Sequence, residues 1–384
     1  MDHEYLFQTI DGMQKQYEQF LLDICNIESP TEYKEGVDRV GAYFIDRARE
    51  HGWEVDVHEE AIAGNVVCIT MNSDAKGAPI ALSGHMDTVH PVGSFGTPAA
   101  RIEGDRLYGP GAVDCKGGIV AAFFAMDALE RCGFRERPVM LLLQSDEENG
   151  SRFSEKRTIQ YICEKAKAAE AFLNCEGHSI GKICLQRKGI LKYEFRVCGK
   201  AVHASKCGDG ISAIAEAAHK ILELEKLKDG GKWGITCNCG LISGGSAENT
   251  VPAECVFTAD IRVTSDEDVV WVKDYVKKIA ETSYVEGSRC EVVLKSYRVA
   301  MQHHERNTAL LDRMNAIYEK VGLPTMKPIK GHGGSDAADV SSYGIPCVDN
   351  IGAGGMFIHN VNEYARLASL GESAKLMASV AAYL

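Results

Sequence analysis

Residues 138–148, PVMLLLQSDEE, carry five consecutive apolar side chains and then, two residues on, three carboxylates, Asp146, Glu147 and Glu148. A run with no polar face cannot be a half-exposed strand; it must be buried on both sides, inside a sheet that helices cover above and below. The surrounding chain agrees. Helix-period apolar spacing marks residues 5–27 and 35–51, and GNVVCITM (64–71) and PIALSGHMD (79–87) read as strands. GGIVAAFFAMDALERCG (117–133) reads as an apolar helix closed by Gly133. This alternation predicts an α/β fold, a mostly parallel sheet flanked by helices, with a crevice at the C-terminal strand ends. Adjacent carboxylates at such an end repel each other and call for a cation.

The style changes near residue 186. ILKYEFRVCG alternates as a half-exposed strand, ISAIAEAAHKILELEKL is an amphipathic helix, and WGITCNCGLISGG, ECVFTADIRV and CEVVLKSYRV are further strands. DEDVVWVKDYVKKIAETSY supplies a second helix between the last two. Strand, helix, strand, strand, helix, strand is the ferredoxin-like order. After about residue 298 the α/β style returns with TALLDRMNAIYEKVG, the glycine-rich GHGGSDAADV and a closing helix. The expected organisation is therefore 1–185, an inserted α+β domain at 186–298, and 299–384 completing the first domain.

Charge and cysteines narrow the partners. A net charge of −12 speaks against nucleic acid and anionic membrane surfaces, which want clustered Lys and Arg. The N-terminus lacks the basic and apolar regions of a signal peptide, and no stretch is long and apolar enough to span a membrane. The fourteen scattered cysteines then read as free thiols of a reducing cytoplasm.

Five groups spread along the chain suit a pair of divalent ions: His85 in SGHMDTVHP, Asp114 in GPGAVDCKGG, Glu148 in QSDEENGS, Glu176 in NCEG and His359 in MFIHN. Two ions need a bridging carboxylate and about two further ligands each, which this set provides. No G-x-S-x-G stands in the chain to support a serine hydrolase.

In order along the chain, GHMDTVHP, RIEGDRLYGPGAVDCKGG, SDEENGS, VHAS, ENTVPAECVFTADIR and GHGGSDAADV resemble the zinc-dependent aminoacylase and carboxypeptidase family of metallopeptidases. That family includes glutamate carboxypeptidase, acetylornithine deacetylase, succinyl-diaminopimelate desuccinylase and several dipeptidases; RIEGDRLYGPG is most similar to the glutamate carboxypeptidase branch. The resemblance implies a zinc-exopeptidase type of catalytic domain holding two zinc ions, with cobalt or manganese as substitutes. It implies that Asp114 bridges them, His85 and Glu176 completing one site, Glu148 and His359 the other. Asp87 would hydrogen-bond the far nitrogen of His85, and Glu147 would be the general base that activates the metal-bridging water.

The inserted domain would serve as lid and dimer interface. His203 would reach into the partner subunit's site to stabilise the oxyanion, the alternative being a strand-end surface histidine. Asn249 and Arg262 would bind the carboxylate end of the substrate, although Arg262 could instead be an ordinary strand ion pair. Gly333, Gly334 and Ser335 would cradle the same carboxylate, or form a plain turn; Arg187 and Lys188 are weaker candidates. Cys115 stands where relatives often carry Asp, Asn or Met and reads as a small filler. His90 and His332 match no ligand position, Asn362 stands where Asp is frequent, and Glu363 matches the closing acid of the last motif. The implied reaction is hydrolysis of an amide, of a small peptide or an N-acyl amino acid, releasing a free amino acid. The alternative is a di- or tripeptidase recognising a free N-terminus. Glu176 favours the former, since Asp stands there in aminopeptidase-like branches.

Overall fold

The computed structural model describes residues 1–177, 179, 181–227 and 234–384. The chain divides into two compact units, one of residues 1–186, 303–331 and 335–384, the other of residues 187–302 together with 332–334. The short return of His332–Gly334 to the second unit has no counterpart in the sequence reading.

The larger unit is built on an eight-stranded mixed sheet. At its centre Val139–Gln144, Ile80–His85, Ala171–Asn174 and Cys347–Asp349 run parallel, side by side. Every residue of these four strands is buried, as the unbroken apolar run at 139–143 requires. Antiparallel pairing appears outside this centre, with Glu54–His58 against Val66–Met71 and Val66–Met71 against Val139–Gln144. A short loop suffices to join the first of these pairs, whereas each parallel neighbour needs a crossover.

Helices His3–Cys25, Lys116–Arg131 and Ala368–Tyr383 pack on one another. Nearly every residue of Lys116–Arg131 is buried, as its all-round apolar sequence demands. Tyr17 stacks on Phe124 with ring centroids 4.1 Å apart and donates its hydroxyl to Asp127 at 2.6 Å.

Two glycines let neighbouring elements close on the end of strand Ala171–Asn174. A Cβ on Gly118 would stand 1.8 Å from the carbonyl oxygen of Cys175, and one on Gly352 only 1.9 Å from it. No side chain fits at either place, so helix and loop together fix the backbone that presents Glu176.

In the smaller unit the strand order is Thr236–Gly244, Glu254–Val263, Gly189–Cys198, Arg289–Arg298, all antiparallel. With helices Ala213–Leu224 and Asp266–Glu281 between strands in the sequence, this is the ferredoxin-like arrangement. Leu191, Tyr193, Phe195 and Val197 alternate into its core with Cys255, Phe257, Ala259 and Ile261. Trp233, with which the sequence reading opened a strand, lies outside the described residues; the strand begins at Thr236. All fourteen cysteines are free thiols. Among the described residues no helix is long and apolar enough to cross a membrane.

Candidate metal centre

The parallel centre of the sheet decides where the site forms. Strand Ile80–His85 ends on His85, and Val139–Gln144 is followed within four residues by Glu147 and Glu148. Ala171–Asn174 is followed by Cys175 and Glu176. Parallel register carries all three strand ends to the same edge. Asp114 lies just before helix Lys116–Arg131, whose N-terminal dipole end favours an anionic group. His359 comes from the loop ahead of strand Tyr364–Arg366, with φ at 63°, a left-handed conformation uncommon outside glycine.

Asp114 stands between the two histidines. Its Oδ1 lies 3.1 Å from His85 Nε2, and its Oδ2 lies 3.1 Å from His359 Nε2. Glu176 is 3.6 Å from the same nitrogen of His85, and Glu148 is 3.3 Å from that of His359. Tetrahedral ions with metal–ligand distances of about 2.0–2.1 Å hold their ligand atoms ~3.3 Å apart. The observed spacings bracket that value, so the donor set fits a pair of divalent ions in both chemistry and span. The Cys115 thiol also lies within 4.8 Å of the His85 and Glu176 donor atoms; it donates to the Cys175 carbonyl at 3.1 Å.

Buried side by side, these carboxylates and histidines shift one another's titration. Burial pushes the Glu148 carboxyl up to about 8, even against the hydrogen bond from His359. Burial and the charge of Asp114 push Glu176 well above the carboxylate range. Hydrogen bonds to Asp114 and Glu148 raise His359 to about 10. Burial opposes charge on His85, yet Cys115, Asp114 and Asp87 around it lift it well above an ordinary histidine. Burial alone would raise Asp114, but hydrogen bonds from His359 and His85 hold it below the usual carboxylate range.

For Glu148 and His359 to ligate an ion, the first must be ionised and the second neutral, so an ion bound there would displace their protons. Affinity for zinc should therefore climb with pH between about 6 and 9. Competition against a chromophoric chelator across that range measures it, and a flat profile would contradict proton displacement at these groups.

Around these groups Asp87 does more than the sequence suggested. The Nδ1 of His85 lies 2.9 Å from the Asp87 carbonyl oxygen and 3.4 Å from its carboxylate. Both oxygens only accept, so Nδ1 donates, which orients the ring with Nε2 towards Asp114 and Glu176. The carboxylate of Asp87 meanwhile accepts from the Thr31 hydroxyl at 2.8 Å and from the backbone N–H groups of Glu147 and Glu148, each at 3.1 Å. It thereby fixes the turn that presents both glutamates. Thr31 gave no signal in the sequence, since it stands 56 residues from its partner. Glu147 is buried, 5 % exposed, beside Glu148 on this turn.

The candidates in the smaller unit divide. His203 is exposed, and its Nδ1 accepts from the Ser205 N–H at 3.2 Å. A neutral ring must then carry its proton on Nε2, the form that can donate to an oxyanion. Asn249 is adjacent, its carbonyl accepting from Ala204 N at 2.8 Å. Arg262 turns its fork to Asp260, two residues earlier on the same strand face, at 2.5 and 3.0 Å, with a further contact to the His332 carbonyl at 3.5 Å. That is the strand ion pair named as its alternative. Arg187 is buried, with Nη1 3.3 Å from the carbonyl of Gly333; Lys188 is buried too. In the larger unit the Ser335 hydroxyl is spent on Asp349 at 2.8 Å and on capping helix Asp336–Ser342, which leaves only its main chain for a ligand.

A sheet that brings two histidines and three carboxylates to one edge, with a ferredoxin-like unit inserted in the chain, defines a metal-dependent hydrolase of the zinc-exopeptidase fold class. The chain belongs to the family described as Peptidase family M20/M25/M40, which matches residues 81–383, and it is an enzyme of that metallopeptidase and amidohydrolase group. Carboxypeptidase G2 of Pseudomonas sp. (strain RS-16) is 28% identical over 373 residues, covering 95% of this chain and 88% of the relative. Succinyl-diaminopimelate desuccinylase of Gluconobacter oxydans is 26% identical over 318 residues, 78% of this chain and 80% of the relative. Among solved structures, aminopeptidase PepT of Bacillus cereus superposes with a TM-score of 0.77 at 21% identity, covering 96% of this chain and 98% of that one. The last likeness is one of fold.

Proposed function

We propose that this protein hydrolyses an amide bond to release a free amino acid, as a carboxypeptidase or an N-acyl-amino-acid deacylase, using two zinc ions. The observation that carries the reading is the division of Asp114, one oxygen to His85 and the other to His359. His85 and Glu176 would hold one ion, Glu148 and His359 the other. Bound there, the ions would polarise the scissile carbonyl and lower the pKa of the attacking water. Glu147, held by its backbone to Asp87, takes the proton from that water and later gives it to the leaving amine.

His203 supplies the oxyanion donor, to the partner copy of a homodimer formed through the inserted unit. Asn249, Arg262 and the backbone of Gly333, Gly334 and Ser335 take the substrate carboxylate; Arg262 would exchange Asp260 for it, a swap of one bidentate carboxylate for another. The fourteen free thiols suit a cytoplasmic setting.

Zinc-loaded protein assayed against N-acyl amino acids and against dipeptides with free amines tests the reading. Cleavage of the amine-blocked substrates supports it; an absolute need for a free amine contradicts it in favour of a di- or tripeptidase. His203→Ala should lower kcat by about 10²–10³-fold, the worth of one oxyanion donor, with metal content unchanged. An unimpaired kcat would reject that role.

A further inference from the structure

Glu363 is 1 % exposed and shares its carboxylate among the segments that carry the ligands. Its Oε1 accepts the backbone N–H of Val113 at 2.8 Å and that of Asp114 at 3.0 Å. Its Oε2 lies 3.1 Å from Nε2 of His90, itself buried and packed edge-on against Phe95 with centroids 4.9 Å apart. The carboxylate can only accept here, so His90 donates. Its main chain adds two more ties, with Gly109 N donating to the Glu363 carbonyl at 3.3 Å and Glu363 N donating to Asn360 O at 2.9 Å.

The topology of these bonds matters more than their number. His90 follows His85 and Asp87 on one segment, Val113 and Asp114 form the second, and Glu363 closes the turn that begins at Asn360, next to His359. One buried carboxylate therefore ties together three of the segments that bear ligands. It grips Asp114 by its own amide, leaving the side-chain oxygens free to face the two histidines. Val113 and Asp114 are 250 and 249 residues away in sequence.

We propose that Glu363, held by His90, is a positioning residue that sets the distance between the two ion sites by fixing the Asp114 main chain against the His85 and His359 segments. This rests on the two-ion reading above. Outer partners of metal ligands are worth about 10–100-fold in affinity, and the clasp should act on both ions because Asp114 serves both.

The test measures stepwise zinc affinities of the stripped protein by chelator competition, with the melting temperature of the metal-free protein followed alongside. Glu363→Met, similar in length but unable to accept, should weaken both ions about 10–100-fold at temperatures where the metal-free protein remains folded. Glu363→Gln, which keeps an acceptor for the two amides, should recover most of that loss. His90→Phe should weaken binding in the natural background and add nothing to Glu363→Met.

A folded Glu363→Met variant with unchanged affinities overturns the proposal. If that variant does not fold, His90→Phe decides: weaker binding supports the clasp and unchanged binding overturns it. Failure of the natural protein to bind two ions would instead strike the parent reading, so the two failures are separable.

Discussion

Glu147→Ala should lose about 10²–10⁴-fold in kcat, the usual worth of a general base, while binding as much metal as the natural protein. Metal content should hold because the proposed ligands remain: His85 faces Asp114 and Glu176, and His359 faces Asp114 and Glu148. The turn should hold as well, since Asp87 grips it through the backbone N–H groups of Glu147 and Glu148, which alanine retains. Only the carboxylate is removed. Metal analysis beside steady-state kinetics distinguishes the outcomes, and a parallel loss of metal and activity would make Glu147 a ligand instead.

Asp114→Asn should be the most damaging single change to the centre. Asn keeps the size and shape of the side chain but replaces one carboxylate oxygen with an NH2 group, which donates and cannot ligate. One of the two histidines then loses the group that its ion would share with the other. Losing an outer partner costs roughly 10–100-fold in metal affinity, and losing the proposed shared ligand should exceed that for at least one ion. Zinc titration of the stripped variant, followed calorimetrically, should show a stoichiometry below that of the natural protein and no measurable turnover. Two ions bound at natural affinity would contradict the bridging role.

The strand-end logic made much of this centre legible in advance. An apolar run ending in carboxylates cannot leave them unpaired, and the parallel register of Ile80–His85, Val139–Gln144 and Ala171–Asn174 carries His85, Glu148 and Glu176 to one edge. The change to strict alternation after residue 186 likewise marked the second unit, because a sheet covered on one face writes that period into its strands. What stayed hidden shares a physical cause. The grip of Glu363 on the Val113 and Asp114 amides and the bond from Thr31 to Asp87 satisfy individual polar groups across long sequence distances. Such bonds impose no period and leave no spacing to read. The pairing of Arg262 with Asp260 is the opposite case: residues two apart on a strand share a face, so the ion pair could be weighed from the sequence alone.

Two-ion catalysis at Asp114 is tested most directly by stripping the protein with a chelator and titrating zinc back while following hydrolysis of an N-acyl amino acid. Turnover should vanish on stripping and return in proportion to zinc, reaching its plateau at about two ions per chain. Turnover that survives complete removal of metal, or a plateau at one ion per chain, would contradict it.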